Sequence, residues 1–167
     1  MTLEELNNLS TEKTIEEFFK CCGSTAWAHK LADSRPFKNT QQLLEVSDRI
    51  WSACSKQDGL EAFTHHPKIG DLKSLEKKFT STKEWAGKEQ AGVDSATHKT
   101  LTELANGNHA YENKFGYIFI VCATGKTANE MLTMLNTRLQ NNPEVEIKIA
   151  LNEQNKITHI RLEKLLV

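Results

Sequence analysis

The residues best suited to chemistry are His65 and His66, in the stretch FTHHPKIGD that runs from Phe63 to Asp71. Pro67 follows them directly. Proline fixes its own φ, donates no N–H, and pushes the residue before it towards extended geometry. His66 is thereby held in a turn, as an imidazole that takes and returns a proton at one fixed place must be. A plainer alternative is a decorated helix end, because the dipole at a helix C-terminus favours His⁺. A third is a metal site built from His65, His66 and Asp71. Adjacent side chains seldom point at one ion, and the sequence has neither HExxH nor two histidines one helical turn apart. The other histidines, His29, His98, His109 and His159, read as surface or helix-face residues.

A second polar cluster lies in WAGKEQAG, Trp85 to Gly92. Glu89 and Gln90 put a carboxylate beside an amide. Together they can orient an imidazole and read a flat, amide-rich ligand; the alternative is a solvated polar turn. ATGKT, Ala123 to Thr127, looks like the tail of a phosphate loop, but that loop needs a glycine where Ile120 stands. Nucleotide binding is rejected, and Lys126 reads as a turn residue.

Bulk properties remove other classes. The chain of 167 residues has room for one domain with a sizeable core, and its 38% hydrophobic and 26% charged content is that of a soluble globular protein. A net charge of −1 without a Lys/Arg stripe gives no case for nucleic acid. No apolar run reaches the roughly 20 residues that span a bilayer, and the longest is YIFIVCA. No signal-peptide core or peroxisomal tripeptide is seen, so the expected location is cytoplasmic. Cys21, Cys22, Cys54 and Cys122 lack CxxC spacing and read as reduced, mostly buried thiols.

The elements that must position these groups are helical. Apolar residues recur at helical spacing in a segment carrying Ile15, Phe18 and Phe19, with Ser10 or Thr11 as N-cap and Gly23 as its end. A short amphipathic piece covers 27–32, and Arg35-Pro36-Phe37 is a connection. Asn39 or Thr40 starts a helix with Leu43, Leu44, Ile50, Trp51 and Cys54; a short one over 59–64 leads into the histidines. Asp71 reads as N-cap for 72–79, and Ser95 as cap of a long helix with Leu101, Leu104, Ala105, Tyr111 and Phe115, closed by Gly116. Residues 117–123 have no clear strand to pair with and are expected to form a buried, irregular apolar connector. Thr127 caps the next helix, and Pro143 opens a last one running to about Leu166. The expected fold is an all-α, single-domain, multi-helix bundle spanning residues 1–167.

Several segments in order carry a resemblance. They are Ser24-Thr25-Ala26-Trp27, Arg35-Pro36-Phe37, His65-His66-Pro67-Lys68-Ile69-Gly70, Glu84-Trp85 with Lys88-Glu89-Gln90-Ala91-Gly92, Asn108 and Tyr111 with KFGYIFIVCA at 114–123, and Arg161-Leu162. The series, from about Leu9 to Leu165, resembles the OHCU decarboxylase family. The resemblance implies an all-α enzyme, commonly a homodimer, that acts without cofactor or metal. The implied substrate is 2-oxo-4-hydroxy-4-carboxy-5-ureidoimidazoline and the product (S)-allantoin, in urate degradation. Urate oxidase and hydroxyisourate hydrolase are the implied pathway neighbours.

The family's catalytic histidine falls on His66, its acidic partner on Glu89 and a binding amide on Gln90. Pro67 lies against the substrate in the same pattern. The binding backbone falls on Phe119, Ile120, Val121, Cys122 and Ala123, and the arginine of the last helix on Arg161. Many members carry serine where this chain has Ala86, so one substrate-facing hydroxyl is missing. On this reading Glu89 fixes the imidazole tautomer or holds the ureido N–H groups, a carboxylate nearby raises the imidazole pKa, and Arg161 clamps an oxygen-rich edge.

Overall fold

The computed structural model describes residues 1–66, 72–80 and 91–166. Among them every regular element is a helix: α1 (Leu3–Asn8), α2 (Thr11–Cys22), α3 (Thr25–Asp33), α4 (Thr40–Ser52), α5 (Lys56–Thr64), α6 (Leu72–Thr80), α7 (Ala91–Phe115), α8 (Ala128–Leu139) and α9 (Pro143–Leu165). The all-α expectation is met. Residues 117–123 form the irregular apolar connector, with Ile120 and Cys122 buried. No helix among the described residues is long and apolar enough to cross a membrane.

Local chemistry sets most of the boundaries. Thr2, Ser10, Ser24, Asn39, Ser55 and Thr127 each accept the backbone N–H three residues on, satisfying an orphan donor of the helix each precedes. At Thr2, Ser55 and Thr127 the acidic residue at that position returns the bond to the cap backbone. The sequence reading differs from the structure at three helices. The Ser55–Asp58 box starts α5 at Lys56, so Gly59 is inside the helix and not at its head. α7 starts at Ala91 and runs through Ser95. A serine caps only where the chain leaves helical geometry, and carrying Gly92 inside a helix costs only about 1 kcal/mol. α1 was not foreseen. Asn7 joins it to the Phe37 backbone in both directions at 2.9 Å, and Arg35 donates to the carbonyls of Leu6 and Leu9.

The chain forms two compact units. The first comprises Met1–His66, Ile120–Cys122 and Lys148–Val167. Its core gathers Phe18, Trp27, Leu31, Phe37 and Leu162, with the Phe18 ring edge-on to Trp27 and Phe37. Burying side chains of this size contributes about 1.5–3 kcal/mol each. Two links tie α5 and its neighbours to α9. Trp51 donates its indole N–H to the Leu151 carbonyl at 3.1 Å. A Cβ on Gly59 would stand 2.2 Å from Leu151 Cδ2, so glycine lets α5 lie close to α9.

The second unit comprises Pro67–Phe119 and Ala123–Ile147. In it α7 packs on α6 and α8. Its buried polar centre is Glu146, which accepts from the Tyr111 hydroxyl at 2.5 Å and pairs with Arg138 at 2.6 Å. The Arg138 guanidinium lies 4.6 Å from the centre of the Phe119 ring.

Removing one member of such a pair strands a buried charge. Glu146→Ala is expected to lower unfolding stability by about 3–5 kcal/mol in a urea titration. A variant as stable as the parent would show that this cluster is not an anchor.

Candidate functional site

The site begins at the C-terminus of α2. Gly23 ends that helix in the left-handed region at φ 82°, and its N–H bonds to Phe19 O. The carbonyls of the last helical turn have no intrahelical partners. Two of them are taken up from α9. Gln154 donates through Nε2 to Cys22 O at 3.3 Å, and Arg161 donates through Nη1 to Cys21 O at 3.2 Å. Gln154, Thr158 and Arg161 follow at i, i+4 and i+7, which places them along one face of α9.

α5 delivers the histidines to this place. His65 caps α5, and its ring meets Phe19 edge-on at 4.8 Å. A Cβ on Gly23 would stand 2.8 Å from His65 Cβ, so glycine is required there for clearance as well as for its backbone angle. His66, one residue further, is half-buried and places Nε2 2.5 Å from Gln154 Oε1. Burial holds the imidazole below its ordinary value of 6.5, and the Arg161 guanidinium and His65 push in the same direction; the hydrogen bond to Gln154 opposes them. His66 is therefore neutral near pH 7.

The connector contributes Ile120, Val121 and Cys122 to the same unit. Cys122 donates its N–H to Glu153 Oε2 at 2.7 Å, and Glu153, itself buried, holds Lys156 through its other oxygen at 2.5 Å. The Cys122 N–H is thus already engaged, and any ligand contact made by Cys122 must use another group. The thiols of Cys21 and Cys22 are raised by burial to about 11 and about 12.

Of the residues singled out in the sequence, His66, Arg161, Ile120, Val121 and Cys122 belong to the first unit, and Phe119 and Ala123 to the second. Pro67, Asp71, Ala86, Glu89 and Gln90 lie outside the described residues. His65 and His66 engage different partners, a phenyl ring and an amide. Among the described residues no group of three His, Cys, Asp or Glu side chains is placed to hold a metal ion. The sequence reading missed Gln154, Thr158 and Glu153. A signal was present, since Gln154 and Thr158 share the helical face of Arg161, but nothing local distinguishes a buried glutamine from a solvated one.

The family model described as OHCU decarboxylase matches residues 7–163. The chain is 36% identical over 150 residues to the uric acid degradation bifunctional protein TTL of Arabidopsis thaliana, which covers 90% of this chain and 46% of that protein. It therefore spans less than half the length of that relative. It is 23% identical over 163 residues to the 2-oxo-4-hydroxy-4-carboxy-5-ureidoimidazoline decarboxylase of Haloferax volcanii, covering 97% of this chain and 94% of that one. A crystal structure of OHCU decarboxylase in the presence of (S)-allantoin matches with a TM-score of 0.72 and 38% identity, over 90% of this chain and 97% of that chain.

Two outcomes follow from the geometry. Cys21 and Cys22 are expected to react with Ellman's reagent slowly in the native protein and at once in denaturant; rapid native labelling would contradict their burial. Gly23→Ala forces a side chain into the left-handed region and against His65. It is expected to cost about 1–2 kcal/mol or more in thermal or urea unfolding, and wild-type stability would show that neither constraint operates.

Proposed function

Because the chain belongs to the OHCU decarboxylase family, we propose that it decarboxylates 2-oxo-4-hydroxy-4-carboxy-5-ureidoimidazoline to (S)-allantoin in urate degradation, with His66 as the group that moves protons. The family match over residues 7–163 carries this reading. The neutral, half-buried His66 beside Arg161 supports it as a ready base next to a fixed positive charge.

The substrate supplies its own electron sink. When the bond to the carboxylate breaks, CO₂ leaves and the bonding pair forms a C=C bond to the neighbouring ring carbon. The adjacent C=N pair retreats onto nitrogen, which is protonated. The enol that results loses its hydroxyl proton and gains one on the neighbouring carbon, giving the ketone of allantoin. His66 takes the hydroxyl proton and returns a proton to one face of that carbon, which yields a single enantiomer. Arg161 binds an oxygen-rich edge of the substrate with its planar fork. The same reading gives Glu89 the acidic role and gives Gln90, Pro67, Ala86 and residues 119–123 substrate-binding roles. A ligand amide left without its hydrogen-bond partner costs about 1–3 kcal/mol.

The test is a circular-dichroism time course. Urate is converted in situ by excess upstream enzymes, with and without the chain and with His66→Ala. The wild-type chain is expected to build optically active allantoin rapidly, and His66→Ala to slow this by about 10²–10⁴-fold. A wild-type trace that merely follows the uncatalysed, racemic background would overturn the reading.

A further inference from the structure

We propose that Gln154 is a positioning residue that fixes the tautomer of His66, so that the ring holds a proton on Nε2 and exchanges protons with substrate through Nδ1. The proposal rests on the decarboxylase reading and adds which ring atom does the work and what sets it.

The Gln154 side chain is wholly buried. Its nitrogen faces Cys22 O at 3.3 Å and Thr158 Oγ1 at 3.2 Å. A carbonyl oxygen can only accept. The Thr158 hydroxyl donates its own hydrogen to the main-chain carbonyl of Gln154 at 3.0 Å, so towards the side-chain amide it accepts. Both amide hydrogens therefore have takers. Turning the amide over would set Oε1 against Cys22 O, two buried acceptors face to face, and would forfeit that bond. Oε1 must point the other way, at His66 Nε2.

An amide oxygen accepts, so Nε2 of His66 must donate. A neutral imidazole carries one hydrogen, which leaves the lone pair on Nδ1. The ring is kept neutral by its surroundings. Among the described residues, the titratable and charged groups that act on it are His65 on its own turn and Arg161 from α9, and burial acts in the same direction. On α2, Cys21 and Cys22, whose carbonyls bind Arg161 and Gln154, carry buried thiols that stay uncharged. With Nε2 committed, Nδ1 is the one ring atom open to proton traffic, and the atom that takes the hydroxyl proton is the atom that returns one to carbon. Using one atom for both steps accounts for one-sided delivery. A carboxylate in the place of Gln154 would draw a second proton onto the ring and remove the base; a neutral amide fixes the tautomer without doing so.

The experiment is long-range ¹H–¹⁵N NMR on the full-length labelled chain, at a pH where His66 is neutral, with Gln154→Met and Gln154→Glu alongside. Wild type is expected to show a protonated Nε2 and an unprotonated Nδ1. Gln154→Met is expected to show averaged tautomers and a kcat about tenfold lower, with KM within about threefold. Gln154→Glu should move the acidic limb of kcat/KM to higher pH, a change that a purely packing role for Gln154 would not produce. An Nδ1–H tautomer or an averaged ring in wild type would overturn the proposal, as would an unchanged tautomer in a folded Gln154→Met variant. The NMR arm needs no turnover. A wild-type chain with the expected tautomer but no decarboxylation would therefore sink the enzymatic reading alone.

Discussion

The end of α2 is the constraint on which the first unit depends. A helix that stops in the protein interior leaves carbonyls that must find donors, and leaving one unpaired costs about 1–3 kcal/mol. Gly23 stops α2 within the packed core, and Cys21 O and Cys22 O are answered by Arg161 and Gln154 from a helix more than a hundred residues away in sequence. Those two bonds do more than close a helix end. They fix the rotation of α9 about its axis, set the direction of the Gln154 amide, and bring a guanidinium to the turn that carries His66. One backbone requirement thus arranges three of the side chains at the candidate site.

A second constraint is the close approach of α5 to α9. Gly59 removes the side chain that would collide with Leu151, and Trp51 donates to the carbonyl of that same residue. His66 follows immediately after α5, so the helix spacing set at Gly59 is inherited by the imidazole. α9 serves on neighbouring positions. Gln154 takes the histidine, while Glu153 takes the backbone of the connector at Cys122. Since successive residues on a helix point about 100° apart, one turn of α9 holds two separate segments of the unit.

The electrostatic character of the site follows from what surrounds it. From sequence, the natural partner for His66 was a carboxylate at Glu89, which would stabilise the cation. Among the described residues burial, a guanidinium and a second imidazole favour the neutral ring and outweigh the Gln154 amide, which opposes them. A base must be unprotonated before it can act, and here burial and positive neighbours supply that state without a charged partner among the described residues.

What the sequence by itself determined is what short-range physics controls. Ser10, Asn39 and Thr127 cap helices because a side-chain oxygen reaches an N–H three residues on, and Gly23 and Gly116 end helices because glycine adopts a left-handed angle at little cost. The irregular connector at 117–123 was legible because the sequence shows no other clear strand to pair with it, and the HHPKIG and KFGYIFIVCA segments carried the family. Where the structure departs from that reading, the Ser55–Asp58 box starts α5 ahead of Gly59, and a longer helix runs through Ser95. Gln154, Thr158 and Glu153 could not be read this way. Their partners lie 88 residues off at His66, 132 at Cys22 and 31 at Cys122. In sequence a polar residue on a helix looks the same whether it meets water or a buried carbonyl. Only tertiary packing decides which, because burial removes the water and makes an unpaired donor or acceptor costly.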